Sequence, residues 1–137
     1  MSPRSLWRLT VRSEFSAGHA LRHYQGKCER LHGHNFGVEL CVEGEKLAED
    51  TEMLLDFKIL KSMLKDVLES LDHCILNDCR PFDQLNPSSE NLARHIWQQI
   101  ALRLAVCPEA QARQVRPHSV TVAEKGQQSA TYMELTA

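Results

Sequence analysis

The sequence predicts an α+β protein in which an antiparallel sheet carries two helices on one face, in the order ββααββ. Apolar and polar residues alternate in segments near both ends of the chain, and two central segments have apolar residues at helical spacing. Size is a third observation, because 137 residues with 42% hydrophobic and 25% charged residues are enough for one core. We therefore expect a single domain over residues 1–137.

The first two strands are predicted from alternation, since successive residues of a strand face opposite sides of a sheet. In the first segment one parity is apolar, interrupted by Ser13, and ends in an imidazole: Trp7, Leu9, Val11, Phe15, Ala17 and His19. In the second segment the apolar parity begins with two imidazoles: His32, His34, Phe36, Val38, Leu40 and Val42. Antiparallel pairing would place the end of the first strand beside the start of the second.

Two helices are predicted in the middle of the chain. From Asp56 to Leu71, apolar residues recur at spacings of three, four and seven, which is typical of an amphipathic helix. A loop rich in turn residues follows, over 77–88, and its end supplies a hydroxyl N-cap in Asn86-Pro87-Ser88-Ser89. The second helix carries Leu92, Ile96, Ile100 and Leu104 and is expected to stop near Pro108.

A closing hairpin is predicted at the C-terminal end. Val120, Val122 and Glu124 share one parity, a turn follows at 125–128, and Thr131, Met133 and Leu135 then alternate with other residues. A four-stranded sheet of this size leaves edges exposed, and pairing with another subunit is one way to cover them. We therefore expect an oligomer.

Charge and cysteine content exclude several classes of protein. A net charge of -2 argues against a nucleic-acid or membrane surface, which needs a clustered cationic face. The chain has no apolar run of membrane-spanning length and no signal-peptide core near its start, so a cytoplasmic protein is expected. Five cysteines without a C-x-x-C pair suggest reduced thiols, and four of them are interpreted as packing or surface residues: Cys41, Cys74, Cys79 and Cys107.

The strongest functional signal is the expected meeting of His19, His32 and His34 on the apolar side of the first hairpin. Three nitrogen ligands with an open fourth position are typical of a catalytic zinc site. The alternative is that these are hydrogen-bonded core histidines. Cys28 lies in the connector between the two strands and is interpreted as a catalytic thiol, or alternatively as a fourth zinc ligand.

Two further positions are candidates for chemistry. Asp72 could orient and charge-stabilise His73 as an acid or base, although a histidine interacting with the dipole at a helix end is an equal alternative. Glu124 is expected to face the same side of the sheet as the core side chains, and a buried carboxylate needs hydrogen-bond donors. This suggests a ligand with two N–H groups in one plane, and a salt bridge to Arg or Lys is the alternative.

The connector also carries positive charge around Cys28. Four of its residues could hold a phosphate group and lower the pKa of the thiol: Arg22, His23, Lys27 and Arg30. A solvated loop surface is the alternative.

Taken together, these motifs resemble the 6-pyruvoyltetrahydropterin synthase and 6-carboxytetrahydropterin synthase family. The matching segments follow the family's order across nearly the whole chain: Phe15-Ser16-Ala17-Gly18-His19, Cys28-x-x-x-His32-Gly33-His34, Leu71-Asp72-His73, Leu76-Asn77-Asp78, Asn86-Pro87-Ser88-Ser89-Glu90-Asn91-Leu92 and Glu124. The resemblance implies the tunnelling fold, in which ββααββ subunits join edge to edge into a trimeric barrel. Two such trimers stack into a homohexamer with active sites at subunit interfaces.

The resemblance also implies roles for the candidate residues. By position, zinc would be held by His19, His32 and His34, and Cys28 would be the proton-abstracting thiolate. Asp72 and His73 would form the second acid/base element. Glu124 would anchor the pterin, and the basic connector would face the triphosphate of dihydroneopterin triphosphate.

The spacing between Cys28 and the His-Gly-His segment resembles that of the 6-carboxytetrahydropterin synthases of queuosine biosynthesis. This branch implies 6-carboxytetrahydropterin, acetaldehyde and triphosphate as products, with triphosphate elimination of the 6-pyruvoyl type as an alternative. Glu29 is a second candidate catalytic residue, because a folate branch of the family uses a glutamate at this position and forms 6-hydroxymethyldihydropterin. A surface glutamate is the alternative. Outside these reactions, a zinc hydrolase and a non-catalytic pterin-binding protein remain open.

Overall fold

The computed structural model describes residues 2–135, so both ends of the predicted 1–137 domain lie outside the described residues. Within this range the chain has the α+β fold that the sequence predicts. The strands are β1 (Trp7–His19), β2 (His32–Gly44), β3 (Cys74–Ile75), β4 (Arg116–Glu124) and β5 (Gln128–Met133). The α-helices are α1 (Phe57–Glu69), α2 (Ser89–Ala105) and α3 (Pro108–Ala112).

The strands form one sheet in the order β3-β1-β2-β4-β5. Neighbours are antiparallel except for β3, which runs parallel to β1. The predicted first hairpin is confirmed: β1 and β2 pair along their whole length, with His19 opposite His32 and Ala17 opposite His34. The end of β1 therefore lies beside the start of β2.

The core lies between the helices and the apolar face of the sheet. Helix α1 starts after Asp56, whose carboxylate accepts the Lys58 N–H at 2.8 Å. Helix α2 starts after the predicted N-cap Ser88, whose hydroxyl accepts the Asn91 N–H at 3.2 Å. Side chains of both sheet and helices are fully buried there, among them Phe15, Phe36, Leu40, Leu64, Ile96 and Val122.

Two elements go beyond the predicted ββααββ order. Strand β3 has two residues, which is too short for alternation to show, and it pairs with Ala17 and Gly18 of β1. Helix α2 ends at Ala105, near Pro108 as predicted, and Pro108 then begins α3, because proline is well suited to the first helical position, where the missing N–H is not needed. The closing hairpin is confirmed at 116–133, although β5 ends at Met133 and leaves Leu135 outside the alternation.

The short β3 leaves most of one side of β1 without a strand partner. Among residues 2–135, the strand partners of β1 on that side are confined to Ala17 and Gly18, and Ser16 makes hydrogen bonds there with Asp72 and His73. A long unpaired edge of this kind is a template for pairing with another chain. No helix in the described range is long and apolar enough to cross a membrane.

Candidate metal centre and the residues around it

The three histidines predicted to converge do so at the end of the β1–β2 hairpin where the connector joins the two strands. One ligating nitrogen from each of His19, His32 and His34 lies within 4.8 Å of the others. The ring centroids of His19 and His32 are 4.6 Å apart, and those of His32 and His34 are 4.7 Å apart. The strand register produces this cluster, since His19 faces His32 directly and His34 follows on the same side.

Backbone carbonyl oxygens determine which ring nitrogen carries the proton in His19 and in His32. The Nδ1 of His19 lies 2.7 Å from the Pro87 carbonyl oxygen, and the Nδ1 of His32 lies 2.7 Å from the Arg30 carbonyl oxygen. A carbonyl can only accept, so both Nδ1 atoms carry the proton and both Nε2 atoms present a lone pair. This is the arrangement in which metal-binding histidines are usually held.

The His19 ring is the buried part of the site. Its side chain is 1% exposed, and its Nε2 has no hydrogen-bond partner among the described residues. A buried nitrogen of this kind is costly unless another group satisfies it. A metal ion would do so, which means that the residues present fit such an ion.

Burial also keeps His19 and His34 in the form that binds metals. It is the largest influence on the pKa of His19 and lowers it, although the Pro87 hydrogen bond and the Glu124 carboxylate act in the opposite direction. The pKa of His34 is lowered as well, again chiefly by burial. Neutral imidazoles can ligate a cation, whereas imidazolium cannot. The three rings can therefore hold a divalent cation of the kind that imidazole nitrogen prefers.

Glu124 lies against this cluster at the end of β4. Its carboxylate oxygens are 3.6 Å from Nε2 of His19 and 3.7 Å from Nε2 of His34, and the Ser89 hydroxyl donates to it at 3.4 Å. The alternative of a salt bridge to Arg or Lys is not formed within residues 2–135. Glu124 also lines a cavity of about 220 Å³ with Ser89, Glu90 and the start of β5. The carboxylate can therefore accept hydrogen bonds from a molecule in this cavity.

Cys28 and Glu29 share a single 3-10 turn, Lys27–Glu29, in the connector between β1 and β2. The Cys28 carbonyl accepts the Leu21 N–H at 2.8 Å, which ties the turn to the start of the connector. The thiol is half-buried and does not belong to the cluster of metal-ligating atoms, so this geometry does not favour Cys28 as a fourth ligand. The Glu29 side chain is exposed, in a groove that it shares with Gly26, Lys27 and Arg30.

The predicted phosphate-binding role of the connector needs one correction. The Arg22 guanidinium is not free, because it donates to the Phe82 carbonyl at 2.8 Å and to the Leu85 carbonyl at 3.0 Å. It therefore braces the loop before α2. The remaining positive side chains of the turn, Lys27 and Arg30, line the exposed groove.

Asp72 and His73 form a direct pair although they are adjacent in sequence. The Asp72 carboxylate lies 2.9 Å from the His73 Nδ1, and its other oxygen accepts the Ser16 N–H at 2.9 Å. His73 has a φ of 56°, a left-handed conformation that turns its ring back toward Asp72. The Ser16 hydrogen bond is the largest cause of a lowered Asp72 pKa, with the His73 interaction adding to it. The carboxylate therefore orients the exposed imidazole.

This pair lies on the sheet face opposite the His19 ring, although its groove also reaches His34. The His73 backbone N–H donates to the Ser16 carbonyl at 2.6 Å, and His73 lines an open groove of about 520 Å³ together with Ser16 and Asn35. Ser16 and Asn35 have the opposite parity to His19 and His34, so they face the other side of the sheet. In the described part of the chain, no hydrogen bond or ion pair joins His73 to Cys28 or to the cluster.

Two asparagines near the site were missed by the sequence interpretation. Asn77 accepts the Ala20 N–H at 2.8 Å and donates to the Ala20 carbonyl at 2.9 Å. Asn86 makes the same pair of bonds with Arg22, at 2.8 and 2.9 Å. Each asparagine side chain thus makes the two backbone hydrogen bonds, one to an N–H and one to a C=O, that a neighbouring strand would make to the segment after His19. The only sequence signal was their position in the Leu76-Asn77-Asp78 and Asn86-Pro87 turns.

The sequence profile of the family described as 6-pyruvoyl tetrahydropterin synthase matches residues 8–135. The chain belongs to this family. Among curated relatives, a 6-carboxy-5,6,7,8-tetrahydropterin synthase of Synechocystis sp. is 36% identical over 96 residues, which cover 67% of this chain and 73% of the relative. A dihydroneopterin monophosphate aldolase of Pyrococcus furiosus is 36% identical over 97 residues, covering 71% of this chain and 77% of the relative.

Solved structures of family members have the same fold. One is a variant of Plasmodium vivax 6-pyruvoyltetrahydropterin synthase in which a glutamate, described as a catalytic residue, is replaced by cysteine. It matches with a TM-score of 0.73 and 26% identity, covering 95% of this chain and 98% of that one. The tunnelling fold expected from the sequence motifs is therefore confirmed for the subunit.

Proposed function

We propose that this protein is a zinc-dependent lyase that converts 7,8-dihydroneopterin triphosphate to 6-carboxy-5,6,7,8-tetrahydropterin, acetaldehyde and triphosphate. The observation that carries the proposal is the cluster of three imidazoles with an unpartnered Nε2 on His19, beside the Glu124 carboxylate. Family membership and a relative named as a 6-carboxytetrahydropterin synthase support the choice of reaction.

In this proposal each side chain has a task that its position supports. Glu124 accepts the amino and ring N–H groups of the pterin, since its carboxylate faces a cavity and forms no ion pair with Lys or Arg in the described range. Cys28 removes the carbon-bound proton as a thiolate. Lys27 and Arg30 attract the triphosphate, because they line the groove next to Cys28.

Zinc is the proposed metal, held by His19, His32 and His34, because three neutral imidazoles with an open position are its usual catalytic ligand set. When bound, it would supply Lewis acidity beside the reacting carbon. The imidazoles of His19 and His32 are already in the tautomer that presents Nε2, so these two ligands need no proton rearrangement to bind it.

Product analysis tests the proposal. The zinc-loaded protein is incubated with dihydroneopterin triphosphate, and the products are separated by chromatography and identified by mass spectrometry. We expect 6-carboxytetrahydropterin with acetaldehyde in equal amounts. Recovery of 6-pyruvoyltetrahydropterin would replace the proposed reaction with elimination of triphosphate, and absence of turnover would favour a pterin-binding protein.

A second reaction is favoured by Glu29. It lies in the same 3-10 turn as Cys28 and is exposed to the groove, and one relative is named a dihydroneopterin monophosphate aldolase. A carboxylate base at this position would favour side-chain cleavage to 6-hydroxymethyldihydropterin. The chain has both candidate bases next to each other, so one protein could catalyse both reactions.

Two variants separate these reactions. Cys28→Ala should abolish 6-carboxytetrahydropterin formation while zinc content stays unchanged, because the thiol is not among the clustered ligands. Glu29→Ala should keep that activity and remove any hydroxymethyl product. Unaltered turnover in Cys28→Ala would exclude the thiol from the mechanism, and equal loss of both products in Glu29→Ala would make Glu29 structural.

We also propose that the active site is completed in a homohexamer. The Asp72–His73 pair lies at the edge of β1, and within residues 2–135 no hydrogen bond or ion pair joins it to the three histidines of its own chain. The unpaired edge of β1 offers a surface for joining another subunit. The pair would then act on a site formed with the partner subunit.

Mixing two inactive variants tests this arrangement. Cys28→Ala and His73→Ala proteins are dissociated together, reassembled and assayed beside each variant alone. Mixed assemblies should regain activity, since some sites would combine an intact Cys28 with the partner's His73. Activity that stays at the level of the separate variants would place both residues in one chain's site.

A further inference from the structure

Two thiols outside the proposed catalytic machinery lie in contact. Cys74 is in β3 and Cys79 follows the 3-10 turn Leu76–Asp78, and their sulfur atoms are 3.6 Å apart. Within residues 2–135 this is the one contact between cysteine sulfurs, since Cys28, Cys41 and Cys107 have other neighbours or none. The pair is not explained by metal binding, because the cluster that meets ligand distances contains histidines only.

The two thiols are arranged in a short chain of hydrogen bonds. Cys79 donates to the Cys74 sulfur, and Cys74 donates to the Leu71 carbonyl at 3.2 Å. Both side chains are half-buried, and Cys74 lines the open groove that also contains His73. Small molecules in solution can therefore approach the pair from the groove.

We propose that Cys74 and Cys79 form a reversible disulfide site whose closure alters the surroundings of His73. The oxidant is a low-molecular-weight disulfide such as glutathione disulfide. One protein thiolate attacks a sulfur of the oxidant and releases one thiol, and the other protein thiolate then attacks the mixed disulfide and releases the second thiol. The protein loses two electrons and two protons, and the oxidant is reduced to two thiols.

The geometry suits this reaction because little movement is needed. A disulfide brings sulfurs to about 2.05 Å, so closure shortens the present contact of 3.6 Å by about 1.55 Å. The loop that it would close contains only the 3-10 turn and one flanking residue. The partners are thus held near each other before any oxidant arrives, as in other dithiols that close rapidly.

The electrostatics of the pair predict its pH dependence. Burial, followed by the Cys79 thiol and the carboxylates of Asp72 and Asp78, raises the pKa of Cys74 to about 11. Only the thiolate attacks, so Cys74 is a poor first nucleophile at neutral pH and is better placed as the second. Because more Cys74 thiolate forms as the pH approaches this value, the rate of closure should increase with pH.

The connection to His73 is direct in the chain. Cys74 follows His73, whose left-handed backbone and bond to Ser16 hold the imidazole against Asp72. Cys74 is also paired with Ala17 in β1, so its backbone is fixed on that side. If disulfide closure moves the Cys74 side chain, the backbone must therefore adjust either near His73 or in the 3-10 turn before Cys79.

The test uses the full chain in glutathione buffers of increasing oxidised fraction. Free thiols are blocked by alkylation, and disulfides are mapped by peptide mass spectrometry. We expect a linked Cys74–Cys79 peptide that disappears on treatment with dithiothreitol. Cys79→Ser should lose this species and Cys107→Ser should keep it. Mixed disulfides with glutathione alone, or links between other cysteines, would overturn the proposal.

A second measurement does not depend on a variant that might fold poorly. The imidazole resonances of His73 are recorded by NMR in the reduced and the oxidised wild-type protein, with His118 as the remote control. Oxidation should shift the His73 signals and leave those of His118 in place. Unchanged His73 signals in a fully oxidised sample would overturn the coupling. Neither measurement depends on which pterin reaction the protein catalyses.

Discussion

Replacing Asn77 with alanine tests how the segment after His19 is held. The Asn77 side chain makes two hydrogen bonds to the backbone of Ala20, at 2.8 and 2.9 Å, and both are partly buried. Ala20 directly follows the most buried ligand of the cluster. The substitution removes both bonds at once and leaves a backbone donor and acceptor without their partner.

The expected loss follows from these two bonds. Each typical hydrogen bond contributes about 1 kcal/mol, and a buried group left unpaired costs about 1–3 kcal/mol. Because water can partly reach the site, we expect a destabilisation of about 2–3 kcal/mol in total. Asn77→Asp keeps the acceptor for the Ala20 N–H and loses the donor, so it should lie between wild type and Asn77→Ala.

The assay is urea unfolding of the metal-free protein, with Asn35→Ala as the matched control. Asn35 is an asparagine whose side-chain hydrogen bond, with the Ser16 hydroxyl, is exposed, and its loss should cost about 0.5 kcal/mol or less. A loss in Asn77→Ala as small as that in Asn35→Ala would refute the reasoning, because it would mean that water replaces both bonds at no cost.

Zinc affinity separates positioning from stability in the same variant. Residues that orient a metal ligand typically change affinity by about 10–100-fold, so Asn77→Ala should weaken zinc binding by about 10-fold. Leu104→Ala, at the end of α2, should lose about 2–5 kcal/mol of stability without changing affinity. Equal zinc affinities in the two variants would show that Asn77 supports the fold alone.

Three other outcomes can be measured with the same equipment. The pKa values of His19 and His34 are lowered in the folded state, so the unfolded chain binds more protons than the folded one below about pH 6.5. The free energy of unfolding of the metal-free protein should therefore be constant above that pH and fall below it. A flat profile would contradict the burial of these two rings. Ser88→Ala should cost about 1 kcal/mol in urea unfolding through loss of the bond to the Asn91 N–H, with Ser88→Thr as the conservative control. Leu40→Ala should cost about 2–5 kcal/mol, and a loss below this range would mean that the core closes around the cavity.

The hairpin and its three histidines could be predicted because alternation is a local property of a strand. His19, His32 and His34 each continue an apolar parity, and antiparallel pairing of consecutive strands then leaves one arrangement in which the rings meet. Glu124 was placed on the correct face by the same reasoning. Its distance to the histidines depends on the register of β2 with β4, where Phe36 lies opposite Glu124, and register is not visible in the sequence.

The features that were missed depend on contacts between distant parts of the chain. Asn77 and Asn86 act on residues more than fifty positions away, and a turn sequence gives no sign of such a partner. The contact between Cys74 and Cys79 arises from a 3-10 turn whose length sets the sulfur separation. The Asp72–His73 pair was one of two alternatives in the sequence, and its direct contact could not be chosen there because it comes with a positive φ at a residue other than glycine, which sequence propensity argues against.

The electrostatic balance at the histidine cluster disfavours protonation of His19 and His34. The Glu124 carboxylate raises the pKa of His19 and His34, while burial and the neighbouring rings lower it, and the lowering prevails at both. A proton on the buried His19 ring would lose its hydration, which is costly. A divalent cation held by the three rings, through Nε2 of His19 and His32 among others, would offset such a loss through its ligand bonds, and the adjacent carboxylate would stabilise its charge. The Glu124 carboxylate, whose effect on the two pKa values is outweighed by burial, would therefore still favour a bound metal ion.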